Sequence, residues 1–152
     1  MKYFKPELSR AAWDNACKNY YKAYKKIEKH FPHEFSETFL NGDFHDACIM
    51  RMDFHNTKND EIDLDMHLHN FWNGDADHYI KLKNITNVKM NITLFPEWFS
   101  EWISTEILPI KNQKYVKGRR FSLEVTFSSD NYSDNRYLYI EFGSIEYSQE
   151  KK

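Results

Sequence analysis

The residues best equipped for chemistry are His67 and His69, spaced by one residue in a stretch of strict alternation. Ile62, Leu64, Met66 and Leu68 alternate with Glu61, Asp63, Asp65, His67 and His69. Strand side chains repeat every two residues, so this pattern predicts a strand with one apolar face and one face of carboxylates and imidazoles. The preceding stretch, Phe44 to His55, divides in the same way. Cys48, Met50, Met52 and Phe54 point one way, and Arg51, Asp53 and His55 the other. Two chemistries follow. The first is metal binding by Asp63, His67, His69 and His45, a ligand set that zinc accepts, with a metal-bound water made acidic. The second is a solvated acidic face, with Asp53, Glu61, Asp63, Asp65 and His69 meeting a basic protein. His55, Asp75, Asp77 and His78 enlarge the metal pool, but His-x-His is a weak pattern in a chain with 7 His and 23 acidic residues.

Other constellations carry less. His45-Asp46 resembles a base with an orienting carboxylate, but no nucleophile stands beside it, and Cys48 falls on the apolar face. Tyr20, Tyr21 and Tyr24 lie among lysines, as a nucleic-acid surface requires. Tyr20 and Tyr24 belong to an apolar stripe, however, and the acidic stretch that follows would repel a polyanion. The basic cluster Lys117, Arg119 and Arg120 is too short to decide anything. Trp98 and Trp102, with Tyr137 and Tyr139, suit either a ligand surface or a cap on the core, and capping is the simpler role.

The elements that must position these residues are predicted as follows. A helix spans 6–31, its stripe made by Trp13, Cys17, Tyr20, Tyr24, Ile27 and Phe31, and Pro32 ends it. Another turn or two follow over 33–40, closed by Asn41-Gly42. Matching apolar faces across the first hairpin pairs Asp53 with Asp63 and Arg51 with Asp65. Across the second, Leu68 faces Ile80, Lys81 faces His67 and Lys83 faces Asp65, so the lysines neutralise the acidic strand without metal. Further strands are expected at 88–94, 121–127 and 137–142. A short helix is expected near 97–107, and a bulge at Gly143 where the apolar parity changes. The fold class is therefore α+β: a long N-terminal helix packed on a mainly antiparallel meander of about six strands over 44–147, in a single domain over 1–152.

Composition agrees with a folded globule. The 152 residues include 12 Phe, 10 Tyr and 4 Trp, which supply large buried areas. Only 4 Gly and 4 Pro occur, so neither a Gly-rich phosphate loop nor a low-complexity linker is present. The net charge of −2 is uneven: +5 over residues 1–31, −9 over 32–77 and +2 over 78–152. The two cysteines, Cys17 and Cys48, both lie in apolar patterns, and buried reduced thiols are expected. No signal-like or membrane-length apolar run is seen, so a cytoplasmic location is expected. Without a secretory signal, the sequons at Asn84 and Asn91 carry no weight.

The opening Met1-Lys2-Tyr3-Phe4, the Trp13-containing helix and the segment His45-Asp46-Ala47 resemble an uncharacterised bacterial family of domains of unknown function. The resemblance covers about the first third of the chain. It implies a bacterial cytoplasmic protein and transfers no catalytic residue. The strand-rich acidic half is also similar in style to immunity proteins that neutralise bacterial toxins, which use negative surface to meet a basic nuclease. The expected function is thus a non-enzymatic binding module with a basic protein partner. Membrane association is not expected, nor is nucleic-acid binding, and a homodimer along the last strand or the Trp98–Trp102 surface is a further possibility. The alternative is a metal-dependent enzyme built on the strand 61–71. No cofactor is implied outside that alternative, where the metal would be divalent, such as zinc.

Overall fold

Ser9 starts the first helix, its hydroxyl accepting the Ala12 N–H at 3.4 Å. The computed structural model describes residues 2–4, 9–72, 75–91, 102–110, 118–127 and 136–151. Helix α1 runs Arg10–Tyr24, shorter than its stripe predicts. Beyond Tyr24 the chain tightens, with the Ile27 N–H bonded to the Tyr24 carbonyl, into a 3-10 turn at Glu28–His30. Pro32 then holds Phe31 extended. The tighter turn still buries Ile27 and Phe31, and Phe31 packs on Tyr24 and edge-on against Phe121. Helix α2 spans His33–Asn41 and stops at Gly42, whose φ of 80° suits the helix C-terminus.

Among the described residues eight strands follow: β1 Cys48–Asn56, β2 Ile62–Asn70, β3 Ala76–Lys83, β4 Asn87–Asn91, β5 Trp102–Pro109, β6 Phe121–Phe127, β7 Tyr137–Phe142 and β8 Ser144–Lys151. The fold class is α+β with antiparallel pairing, as expected, but the strands form two sheets. Sheet A has the order β1-β2-β3-β8, and sheet B the order β4-β7-β6-β5. Their inner faces share one core with the helices. Leu64, Met66, Leu68 and Leu82 come from sheet A, Ile107, Leu123, Val125 and Ile140 from sheet B, and Tyr24 and Phe35 from the helices. α1 contacts β5, and α2 contacts β8. The Tyr20 hydroxyl accepts the Ile107 N–H at 2.6 Å, and the Asp46–Ala47 backbone bonds that of Trp102, so the outer edge of β5 is covered.

Three expectations need correction. Residues 102–107 are strand, not helix; the rest of that expected helix lies outside the described residues. A register irregularity between Trp102 and Ser104 brings Trp102 opposite Phe127 and Ile107 opposite Leu123, both in the core. The irregularity puts positions of opposite parity, 102 and 107, on one face and so breaks the alternation that marks a strand. The spacing of Phe99, Trp102, Ile103 and Ile107 in the sequence meanwhile read as one helical face. The parity change at Gly143 is likewise not a bulge within one sheet. There the chain leaves sheet B and enters sheet A, so inward reverses its meaning. Cys17, finally, is exposed; only Cys48 is buried.

The crossing at Gly143 runs beside the opposite crossing at Asn84–Thr86, joined by Gly143 N–H to Lys83 O at 2.9 Å and Thr86 N–H to Glu141 O at 3.0 Å. Arg120, 2 % exposed, ties this corner together. Its guanidinium donates to Asn84 Oδ1 (3.0 Å), Thr86 Oγ1 (2.8 Å) and the Asn84 carbonyl. Burial pushes the Arg120 guanidinium below its ordinary value, while the carboxylates of Glu141 and Glu61 oppose that shift.

Candidate functional site: the polar face of sheet A

The first hairpin closes on Thr57. Its N–H bonds the Glu61 carbonyl at 2.7 Å, and its hydroxyl accepts the N–H groups of Asn59 and Glu61. Asp60 takes a left-handed conformation with φ 58°. This five-residue closure pairs Asn56 with Ile62, and therefore Asp53 with Asp65, Arg51 with His67 and His55 with Asp63. β3 continues the register: Lys81 faces Asp65, Tyr79 faces His67 and Asp77 faces His69. β8 adds Glu146 beside Lys81, Ser148 beside Tyr79 and Glu150 beside Asp77. Both hairpins thus differ from the expected register by two residues. From Arg51 onward this two-residue slip keeps each side chain on its face and changes only its partners. Before it, the irregularity between Ile49 and Arg51 sets Ile49 opposite Leu68 on the core side and Cys48 opposite His69. Cys48, though buried, therefore does not share the face of Met52 as the alternation predicts.

The result is a set of polar rows. One reads Asp53, Asp65, Lys81, Glu146; the next reads Arg51, His67, Tyr79, Ser148; a third reads His69, Asp77, Glu150. The first two line an open concavity of about 490 Å³. Arg51 pairs with Asp53 along its own strand. Lys81 Nζ lies 3.6 Å from Asp65 and 3.9 Å from Asp63. One lysine of β3 thus stands beside two carboxylates of the acidic strand, facing Asp65 rather than His67. Lys83 instead pairs with Glu146.

At one end of this face the titratable groups form a chain. One oxygen of Asp77 lies 2.7 Å from His67 Nε2 and 2.9 Å from His69 Nδ1. His69 Nε2 lies 3.1 Å from Asp75. A carboxylate accepts only, so the Asp77 contacts place ring protons on His67 Nε2 and His69 Nδ1. His67 stacks on Tyr79, and Phe71 stands edge-on to His69. The ring orientations are therefore set on both sides, by hydrogen bonds and by packing.

The structure separates the residues proposed as metal ligands. Asp63 and His67 are four residues apart on one strand, roughly 13 Å by strand rise. Asp63 is 5 % exposed and accepts the Asn84 N–H at 3.0 Å. His45 lies before β1, bonded to Asp46 at 2.8 Å, and lines a different cavity. His67 and His69 are joined, but through Asp77. Among the described residues, no group of three or more His, Cys, Asp or Glu side chains converges as metal ligands. Nor is His67 placed for triad chemistry: Ser148 is two strands away, roughly 9.5 Å by strand spacing, with Tyr79 between them.

Of the residues expected to contact a partner, Asp53, Glu61 and Asp65 reach solvent. Asp63 and His69 do not; both are buried in hydrogen bonds that hold the fold. The surface is completed by Tyr79 and by Glu146, which sequence reasoning left aside, with Asp77, a member of the expected metal pool, behind them. The alternation Asp75-x-Asp77 was the visible signal for Asp77. Glu146 gave none, because its strand returns from the other sheet. Trp102 is 2 % exposed, which fits the capping role and removes it from any dimer surface; Trp98 lies outside the described residues. No described helix is long and apolar enough to cross a membrane. In comparison with known proteins, no family model, no curated protein and no solved structure matches the chain.

Proposed function

We propose that this chain is a non-enzymatic binding module and that the open polar face of sheet A receives a basic protein partner. The observation that supports it is the row Asp53, Asp65, Lys81, Glu146. Two carboxylates stand directly opposite each other there, with side chains 45 % and 51 % exposed. Like charges directly opposite weaken a sheet, and an incoming guanidinium or ammonium removes that repulsion. Among the described side chains of this face that reach solvent, Asp53, Asp65, Glu146 and Glu150 outnumber the cations Arg51, Lys81 and Lys83. The concavity gives such a partner a seat, and Tyr79 a flat aromatic floor against which an arginine stacks. The likeness in style to bacterial immunity proteins belongs to this reading: an acidic surface steers a basic toxin toward it and rejects acidic competitors.

The test is titration with an arginine-rich peptide followed by backbone amide shifts. Shifts centred on Asp53, Asp65, Tyr79 and Glu146 are expected. Shifts centred elsewhere, or none at low salt, contradict the proposal.

A further inference from the structure

A second cavity, of about 310 Å³, lies away from the polar face, between α1, the end of α2 and β5. Its origin is the α1 stripe. The C-terminal half of the stripe, Tyr20 and Tyr24, is buried in the core; the N-terminal half, Trp13 and Cys17, is exposed. Trp13 is 39 % exposed, with Phe4 packed against it at 5.0 Å between ring centres. Phe4 is held there by a buried carboxylate. Glu106, 1 % exposed, accepts the backbone N–H groups of Lys2, Tyr3 and Phe4 at 2.8, 2.6 and 2.7 Å. The walls are thus aromatic rings fixed from behind: Phe4, Trp13, Tyr20, Phe44 and Trp102.

The polar content of the lining is small and specific. Among the described residues, no Lys, Arg, Asp or Glu lines the cavity. Partial burial, then the Asp14 carboxylate, push the Cys17 thiol above its ordinary value, so it remains an uncharged wall. Ser104 is bonded to Thr126, and Thr105 to the Trp102 indole. His45 is different. Asp46 holds its Nδ1 at 2.8 Å, and its Nε2 has no partner among the described residues. Small-molecule sites have this form: mostly apolar walls, a volume from about 300 Å³ upward, and a few placed polar groups.

We propose that this cavity binds an uncharged, flat aromatic molecule bearing one hydroxyl or N–H donor, its rings against the aromatic walls and its donor on His45 Nε2. The walls favour a ring over an aliphatic chain through stacked and edge contacts. The described lining offers no Lys, Arg, Asp or Glu as a countercharge, which disfavours an acid or an amine. The site is independent of the polar face of sheet A.

The probe is 2-naphthol, compared with naphthalene and 2-naphthoate, by calorimetry and by the indole N–H resonances. Saturable one-to-one binding of 2-naphthol is expected, shifting Trp13 and Trp102 and leaving Trp72 unmoved. Cys17→Trp, which fills the cavity, is expected to weaken binding at least tenfold. If that variant disturbs the amide spectrum, Trp13→Ala on the exposed helix face replaces it, with the same expectation. His45→Phe is expected to remove an advantage of about tenfold for 2-naphthol over naphthalene, the size of one well-placed hydrogen bond. Absence of saturable binding, 2-naphthoate binding as tightly as 2-naphthol, or a filled cavity that binds unchanged would each overturn the proposal.

Discussion

Asp53 on β1 stands directly across from Asp65 on β2, carboxylate facing carboxylate on the solvent side of sheet A. Each has a cation nearby, Arg51 for Asp53 and Lys81 for Asp65, but no cation stands between them in the register. Removing one carboxylate is expected to help the fold. Asp53→Thr relieves the repulsion and adds a β-branched residue, for a gain of about 0.5 kcal/mol by urea denaturation. The Arg51 pair lost with it is exposed and contributes little. A loss of more than about 1 kcal/mol would show that the pair is held together by something on the folded side.

Asp77 is the shared acceptor of two imidazoles and is itself 7 % exposed. Asp77→Ala is expected to cost about 2–4 kcal/mol, because two ring N–H groups lose their acceptor, one of them buried. In a double-mutant cycle with His69→Ala, the two losses are expected to be strongly non-additive. Simple additivity would mean that the pair is not coupled.

At the corner where both chain crossings meet, Arg120 donates to Asn84 and Thr86 from a buried position. Arg120→Ala is expected to cost about 3 kcal/mol or more, since it opens a cavity and strips several acceptors at once. Arg120→Lys is expected to recover little of that, because one ammonium cannot reproduce the planar fork. Thermal melts of the two variants compare them directly, and near-complete recovery by Lys would contradict the role given to the fork.

Burial raises Tyr20 well above its ordinary range and moves Tyr24 to about 12, in each case more than hydrogen bonding lowers it. A tyrosine whose value rises on folding binds its proton more tightly in the folded state. Its contribution to stability is complete below about pH 10 and is lost as pH rises through the folded value. Stability is therefore expected to fall as pH rises above about 10, through about 12 for Tyr24. Tyr24→Phe, which keeps the ring stacked on Phe31 and Phe39, is expected to flatten the alkaline limb. An unchanged slope would place the alkaline transition elsewhere.

These residues also show what could be read from the chain alone. The faces of β2, and of β1 from Arg51 onward, were legible because Leu64, Met66 and Leu68 alternate with Asp65 and His67, and alternation survives any even slip. The irregularity between Ile49 and Arg51 hid the true parity of Cys48. The partners were not, because the turn at Thr57–Glu61 chose the register, and a shift of two leaves the hydrophobic pattern unchanged. The first helix and the Gly42 stop were legible from spacing and a left-handed cap. Strand β5 was hidden by the irregularity after Trp102, and the passage at Gly143 by the lack of any local signal for a change of sheet. Asp63 and His69 are held by Asn84 and Asp77, which reach them only once β2 and β3 have paired.

The acidic face is the claim on which the account turns, and paired charge reversal tests it most directly. Asp53→Lys with Asp65→Lys alters two half-exposed side chains, so the amide spectrum should remain that of the folded chain. Binding of the arginine-rich peptide, measured by calorimetry at low and moderate salt, is expected to fall at least tenfold in this variant and to weaken with salt in the parent. Unchanged peptide affinity in the folded double variant would contradict the assignment of this face as the partner surface.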